Sequence, residues 1–199
     1  MIDFSSKPTL VGEKVLLRPF EQADAEKMLV ILDDPEIKRL TGSVVSDLEV
    51  LVETDAAEAE KIRNWYLTRN SQTDRLDLAV VDKQSGELVG EVVFNEYEED
   101  IGQVNFRTLI GPAGRGRGLG TEALALLVRY GFEELGLNRI ELEVYSFNPR
   151  AEAVYRKNGF VLEGIKRESF KYNGVYINTK LFAMLRSDYD SFVKNRGAL

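Results

Sequence analysis

The residues most suggestive of chemistry form a glycine-rich segment directly before a long amphipathic helix pattern. The sequence from position 114 is GRGRGLGTEALALLVRYGF, with glycine at every second position up to Gly120. The first turn of a helix presents unpaired N–H groups and a positive dipole end, so anions bind there. Glycines let a phosphate reach the backbone, and Arg115 and Arg117 add positive charge. The segment therefore predicts a diphosphate site, with a solvated surface turn as the alternative.

The composition restricts the chemistry available beside such a site. The chain of 199 residues contains no cysteine and no histidine. A thiol nucleophile, a thiolate-bound metal and the usual general base are therefore excluded. Any acid–base step must use Glu, Asp, Tyr, Lys or water, and we expect no metal.

The segment fits neither of two familiar phosphate-binding motifs completely. A P-loop is a poor match, because no Gly-Lys-Ser/Thr follows the glycines. GLGTEA fits the dinucleotide fingerprint, and Glu141 or Glu143 follows about 20 residues later, as that motif requires. However, six residues (112–117) separate the strand end from Gly118, and only 54 residues follow Tyr145, too few for a doubly wound sheet. A dinucleotide-binding oxidoreductase is the weaker alternative.

The rest of the chain predicts strands and helices around this segment. Strands are predicted at residues 14–20, 75–82, 88–97, 102–110, 139–145, 160–164 and 169–185, the last with an Asn-Gly hairpin turn. Helices are predicted at residues 21–32, 46–66, 121–135 and 149–158. Short connections indicate antiparallel neighbours, whereas the strand–helix–strand unit at 102–145 favours parallel pairing. We predict one α/β (α+β) domain over residues 1–199, with a mixed, mostly antiparallel twisted sheet.

Composition and charge also limit the partners. Apolar residues make up 44% of the chain, and no apolar run approaches the ~20 residues of a membrane span. The N-terminal residues lack a secretory pattern, so we expect a cytoplasmic protein that does not bind membranes. The net charge of −7 argues against nucleic-acid binding. We expect a monomer or a homodimer.

The glycine segment and its surroundings resemble a known family. RGRGLG resembles the R/Q-x-x-G-x-G/A signature of the GCN5-related N-acetyltransferases (GNAT). LIGPAGRGRGLGTEAL and RIELEVYSFNPRAEAVYRKNGF resemble the central segments of the family, in the same order. VLLRPFEQADAEKM and EGIKRESFKYNGVYINTKLFAML resemble the first and last segments of the ribosomal-protein N-acetyltransferase subfamily. The resemblance covers most of the chain and implies the GNAT fold, with helices on both faces of the sheet and a C-terminal β-hairpin.

The resemblance implies that acetyl-CoA is the ligand of the glycine segment. Its diphosphate would rest on amides of residues 115–121, and its pantetheine arm would follow the strand edge at residues 107–109. Asn148 would contact a pantetheine amide as well as cap the following helix. The implied cofactor-binding residues are Arg107, Thr108, Leu109, Arg115, Gly116, Arg117, Gly118, Leu119, Gly120, Thr121 and Asn148.

The resemblance also implies two catalytic residues. Glu143 occupies the position of the general base in the protein-acetylating members, and Tyr155 would protonate the CoA thiolate. An amide near Leu109 would polarise the thioester carbonyl. Without the resemblance, Glu143 could equally be a solvated side chain and Tyr155 a core residue. Other candidate bases or substrate anchors are Glu91, Asn95 and Glu96.

The acceptor is a primary amine in this interpretation. Its expected walls are the helical segment 46–66, the acidic segment NEYEED at 95–100, and the closing hairpin with Tyr172 and Tyr176. Excess acid there would suit a protein N-terminus, an antibiotic or a polyamine. An acyl-CoA-binding module without turnover is the non-enzyme alternative, because the base is not identified.

Overall fold

The computed structural model describes residues 2–196, whose strands form one mixed sheet. The strands are β1 (Leu10–Val11), β2 (Val15–Arg18), β3 (Leu76–Asp82), β4 (Leu88–Glu98), β5 (Gln103–Ile110), β6 (Arg139–Tyr145), β7 (Val161–Tyr172) and β8 (Val175–Leu185). Their order is β1-β2-β3-β4-β5-β6-β8-β7. Neighbours are antiparallel except for β5 and β6. The predicted mixed sheet with a central parallel pair is confirmed.

Seven helices accompany this sheet within the described residues. They are α1 (Asp24–Leu32), α2 (Pro35–Thr41), α3 (Asp47–Val50), α4 (Ala56–Leu67), α5 (Leu119–Glu133), α6 (Pro149–Lys157) and α7 (Arg186–Arg196). None of these helices, within residues 2–196, has the length and apolarity needed to cross a membrane.

The helix predicted over residues 46–66 was wrong, because the structure contains two helices there. Ser46 caps α3, which ends at Val50, and the Asp55 carboxylate accepts a bond of 2.8 Å from the Glu58 N–H to start α4. The apolar pattern continues between Val50 and Ala56, where the structure has no helix. Asp55, as a second N-cap residue, starts a separate helix there. The turn residues of this stretch therefore carried more information than its periodicity.

Helix α2 was not predicted, because no element was assigned between the helices predicted at residues 21–32 and 46–66. In the structure the Asp34 carboxylate accepts a bond of 3.0 Å from the Ile37 N–H. Proline fits the first helical position, where its missing N–H costs nothing. Asp-Pro thus ends one helix and begins the next. Helix α7 and strand β1 were not predicted either.

The two faces of the sheet bury different helices. The α5 face is covered by α5, α6 and α7, and its core includes Phe94, Leu127 and Phe182. The opposite face, which we call the α4 face, packs α1 and α4 through a smaller cluster that includes Met28 and Tyr66. Because the cluster on the α4 face is smaller, much of that face near β5 and β6 is formed by polar residues.

Helix α5 is held against the start of β2 by one carboxylate. Glu122 accepts N–H bonds from Glu13, Lys14 and Val15, at 2.6, 2.8 and 3.1 Å. Bonds from N–H groups to a charged acceptor are stronger than neutral ones. This contact fixes the position of the N-terminus of α5, where the predicted anion site lies.

Candidate active site

Strands β5 and β6 separate and open a gap in the middle of the sheet. Their parallel pairing begins at Gln103–Arg139 and ends at Asn105–Glu141. Strand β5 nevertheless continues five residues further, to 110, and β6 continues four, to 145. Facing backbone groups beyond the last pair are therefore not joined in a ladder. An extended ligand arm can bond to such groups as a strand would.

Strand alternation shows which β5 groups face this gap. The Gly111 N–H donates to the Val89 carbonyl at 2.7 Å, and bonded pairs in an antiparallel ladder recur every second residue. The Leu109 backbone is therefore directed at β4, whereas the N–H groups of Thr108 and Ile110 face the gap. The polarising amide expected near Leu109 is then that of Thr108 or Ile110.

The four alternating glycines serve two different purposes. Gly116 and Gly118 have φ of +72° and +82°, a conformation that glycine adopts without strain. A Cβ on Gly114 or Gly120 would instead lie 2.7 or 3.0 Å from the Ile110 side chain. Two glycines thus shape the loop, and two let it pack against the end of β5. Helix α5 begins directly after Gly118 without a side-chain cap.

Both arginines of the segment are engaged in ion pairs. Arg115 binds Asp34 at 2.8 Å and also Glu36, and its Nε donates to the Ile110 carbonyl. Arg117 binds Asp82 at 2.7 Å, and this hydrogen bond lowers the pKa of the Asp82 carboxyl. These carboxylates offset the two guanidinium charges. The two arginines therefore add little net positive charge to the loop.

Two lysines near the loop were missed by sequence reasoning. A cavity of about 550 Å³ beside the N-terminus of α5 is lined by Lys14, Lys83 and Arg117, among others. The Lys14 ammonium lies 3.6 Å from the position of a Cβ on Gly118. Lys14 precedes β2 and Lys83 follows β3, so only the pairing of those strands brings them together. No local motif could have found them.

Glu143 lies on the α4 face of β6. Ile140, Leu142 and Val144 are buried on the other face. The Glu143 side chain is half exposed and forms an ion pair with Lys166 of β7, and this bond raises the pKa of Lys166. A carboxylate at this place can accept a proton from an amine approaching over the α4 face.

Tyr155 lies on the α5 face of the sheet. It is 7% exposed, and its ring centroid is 6.4 Å from that of Phe182, the cross-strand neighbour of Leu142. Burial raises the pKa of Tyr155 to about 12. The phenol is therefore neutral near pH 7 and can donate a hydrogen bond.

Asn148 caps helix α6, as predicted. Its side-chain oxygen accepts a bond of 3.1 Å from the Ala151 N–H, and Pro149 occupies the first helical position. The cap uses only the oxygen of the carboxamide. The nitrogen is a donor that the cap does not require.

Glu91 has the most unusual environment among the other candidate bases. It lies on the α4 face beside Tyr66, with Asp77 and Arg107 nearby. Desolvation and the Asp77 charge raise the pKa of the Glu91 carboxyl to about 7, although the Tyr66 hydroxyl lowers it. Asn95 accepts a bond of 2.9 Å from Asn105, where the gap begins.

A second cavity of about 430 Å³ lies between α2 and the β7–β8 hairpin. Its lining includes Glu36, Arg39, Phe147, Tyr172, Val175 and Ile177. The predicted wall residue Tyr172 therefore lines it, whereas Tyr176 and the acidic segment 95–100 do not. Helix α3 contacts this lining through Asp47, whose carboxylate accepts a hydrogen bond of 2.6 Å from the Tyr172 hydroxyl. Across residues 2–196, no group of three or more acidic side chains is arranged to hold a metal.

Comparison with known proteins identifies the family to which this chain belongs. The family model described as "Acetyltransferase (GNAT) domain" matches residues 14–161. The chain belongs to the GNAT family, and it is an N-acetyltransferase like the relatives that it matches.

Individual relatives cover most of the chain. It is 28% identical over 183 residues to "Uncharacterized N-acetyltransferase p20" of Bacillus licheniformis, covering 91% of this chain and 98% of the relative. It is 33% identical over 116 residues to a spermidine N(1)-acetyltransferase of Escherichia coli K12, covering 58% and 62%. The crystal structure of a Vibrio cholerae spermidine N-acetyltransferase with CoA and spermine superposes with a TM-score of 0.73, at 26% identity over 89% of this chain and 99% of that one.

Proposed function

We propose that the protein transfers an acetyl group from acetyl-CoA to a primary amine, directly and within a ternary complex. The observation that carries this proposal is the gap between β5 and β6, which ends at the glycine loop. Strand β5 runs from this gap into the glycine loop, and α5 begins directly after Gly118. A thioester with a diphosphate at one end fits both features.

The donor site would use mainly backbone groups. The diphosphate would bind the amides from Gly116 to Thr121, since Arg115 and Arg117 are already paired with carboxylates. The pantetheine amides would bond to the groups of Thr108 and Ile110 that face the gap. Lys14 and Lys83 add positive charge beside the loop.

The chemistry would divide between the two faces of the sheet. Glu143 would accept the proton that the amine must lose, because an ammonium with a pKa of ~10 is not nucleophilic. An amide facing the gap would stabilise the oxyanion of the tetrahedral intermediate. The carbon–sulfur bond then breaks, and the sulfur leaves on the side of Tyr155.

The pKa of Tyr155 decides how it would assist the leaving group. A cysteine thiol, the reference group nearest to the thiol of CoA, titrates at about 8.5, well below the pKa of about 12 for this phenol. Complete proton transfer from Tyr155 to the thiolate is therefore unfavourable. Its role is better described as a hydrogen bond to the developing negative charge on sulfur.

Two measurements test the proposal. Millimolar acetyl-CoA should raise the melting temperature by several degrees, and NAD or NADP should not. Release of CoA with a panel of primary amines should then follow. Stabilisation without CoA release would favour an acyl-CoA-binding module, and preference for NAD(P) would favour the dinucleotide alternative.

A further inference from the structure

The cavity between α2 and the hairpin lies at the open end of the gap. Phe147, in its lining, follows the last residue of β6 by two positions. Glu36, also in its lining, is paired with Arg115, whose Nε donates to the carbonyl of Ile110, the last residue of β5. The cavity therefore adjoins the ends of both strands that separate. Tyr145, whose ring stacks on that of Phe147, lies two residues after Glu143 on the same face of β6.

The charges around this cavity balance one another. Glu36 is paired with Arg115 and with Arg150, the latter at 2.9 Å. Asp34 shares Arg115. Arg39, also on α2, is paired with Asp47 at 3.0 Å. The three carboxylates (Asp34, Glu36 and Asp47) thus match the three guanidinium groups (Arg39, Arg115 and Arg150).

Apart from Asn173, whose side-chain nitrogen donates to the Asp47 carboxylate, the remaining lining is apolar and aromatic. Phe147 and Tyr172 have ring centroids 6.1 Å apart, and Leu40, Val175 and Ile177 complete the wall. The aromatic cluster continues to Tyr145, which stacks on Phe147 at 5.3 Å. The volume of about 430 Å³ lies in the usual range for small-molecule sites.

We propose that this cavity binds an apolar or aromatic group attached to the acceptor amine, and that it selects against polycations. This inference rests on the proposed acetyl transfer to a primary amine and specifies its substrate class. A second ammonium group entering the cavity would lose water and meet carboxylates already neutralised by arginine. A phenyl or branched aliphatic group would instead bury apolar surface against rings and methyl groups.

The test compares phenethylamine, ethylamine and spermidine as acceptors of the full-length protein with saturating acetyl-CoA. Ethylamine is the same amine without the ring. We expect kcat/KM for phenethylamine to exceed that for each of the other two at least tenfold. Equal values for the three amines, or a preference for spermidine, would overturn the inference.

A cavity-filling variant tests whether the preference for phenethylamine depends on this cavity. Val175 is 62% exposed, so Val175→Trp should fold while occupying the cavity. We expect kcat/KM for phenethylamine to fall at least fivefold while spermidine and ethylamine change less than twofold. Val161→Trp, at a residue 52% exposed at the far end of the same hairpin, is the matched control.

Binding measurements separate this inference from the proposed function. Calorimetric titration of phenethylamine into the CoA-saturated protein should give a dissociation constant that Val175→Trp raises and Val161→Trp leaves unchanged. If acetyl-CoA stabilises the protein but phenethylamine does not bind, the substrate class is wrong and the donor site stands. If acetyl-CoA itself fails to bind, the proposed transfer is wrong, and the cavity loses its assigned occupant.

Discussion

Glu143 and Tyr155 lie on opposite faces of the sheet: Glu143 is on strand β6, and Tyr155 is on helix α6. The Glu143 carboxylate is half exposed beside Lys166, whereas the Tyr155 ring is buried under α6. In a continuous sheet, two side chains on opposite faces could not both reach the thioester bond of one acetyl-CoA molecule. The parallel pairing of β5 and β6 stops at Asn105–Glu141, so the sheet is not continuous beyond that pair. In the proposed reaction, a thioester between the two unpaired strand ends would be approached by an amine from one face and would lose its thiolate towards the other.

Glu143→Gln should lower kcat/KM at pH 7 by about 100-fold, the usual effect of losing a general base. Raising the pH towards 10 should restore part of the rate, because the amine then deprotonates without help. Glu141→Gln is the matched control, since Glu141 shares the same strand and face and is paired with Arg139. Steady-state kinetics from pH 6.5 to 10 provide the measurement. Equal defects in both variants would remove Glu143 from the mechanism.

Tyr155→Phe should lower kcat by about 10- to 100-fold, the effect of losing one hydrogen bond to a charged group, with acetyl-CoA affinity changed less than twofold. The ring is kept, so packing against Phe182 is preserved. Because the pKa of Tyr155 is about 12, the wild-type pH profile should show no inflection from this group below pH 10. Tyr130→Phe in α5 controls for the loss of a phenol elsewhere. An unchanged kcat would leave Tyr155 with a packing role only.

Gly118→Ala should weaken acetyl-CoA binding at least tenfold, since the loop amides would no longer keep their positions. Gly136, which follows α5, has φ of +70° and open space around it. Gly136→Ala therefore carries a comparable strain of about 1 kcal/mol without touching the proposed site. Calorimetry with acetyl-CoA and chemical denaturation together separate affinity from stability. The prediction fails if both variants bind acetyl-CoA equally well.

Glu91 should make the free energy of unfolding depend on pH. Its pKa is raised from 4.5 to about 7 in the folded protein, so the folded state holds a proton that the unfolded state releases. This stabilisation is complete below pH 4.5 and is lost as the pH rises through 7. Between pH 5 and 8, wild type should lose up to about 3 kcal/mol relative to Glu91→Gln.

Urea denaturation at both pH values provides that measurement. The matched control is Glu87→Gln, which removes an exposed carboxylate paired with Lys27. A wild-type curve parallel to that of Glu91→Gln would show that the carboxyl titrates normally.

Glu122→Ala should destabilise the protein by about 2 kcal/mol, because three backbone N–H groups lose a charged acceptor. The Glu134→Ala control removes an exposed carboxylate near the other end of α5 and should cost less than ~0.5 kcal/mol. Denaturant titration measures both. Added acetyl-CoA should recover part of the loss, since the contact positions the N-terminus of α5.

The local patterns predicted most of the fold. The glycine loop, the Asn148 cap and the Asn173-Gly174 turn are determined by neighbouring residues, so the sequence showed them directly. The break between α3 and α4 was missed, because the hydrophobic pattern continues across Asp55. Helix α2 was missed because Asp34-Pro35 can both end and begin a helix.

The parts of the site that escaped prediction depend on contacts distant in sequence. Lys14 and Lys83 meet only because β2 pairs with β3. The ion pairs of Arg115 depend on where α2 lies, which the sequence does not show. The sequence therefore predicted an unpaired guanidinium at Arg115, whereas the structure pairs it with carboxylates. The choice of Thr108 or Ile110 over Leu109 required the register between β4 and β5.

The ion pair between Arg115 and Glu36 has an evolutionary consequence. One end belongs to the loop that would hold the donor, and the other lines the cavity that would hold the acceptor. A mutation that adapts α2 to a new amine would therefore perturb the Arg115 guanidinium, which belongs to the loop of the proposed diphosphate site. New acceptor preferences in this lineage should tend to arise together with altered demand for acetyl-CoA, rather than independently of it.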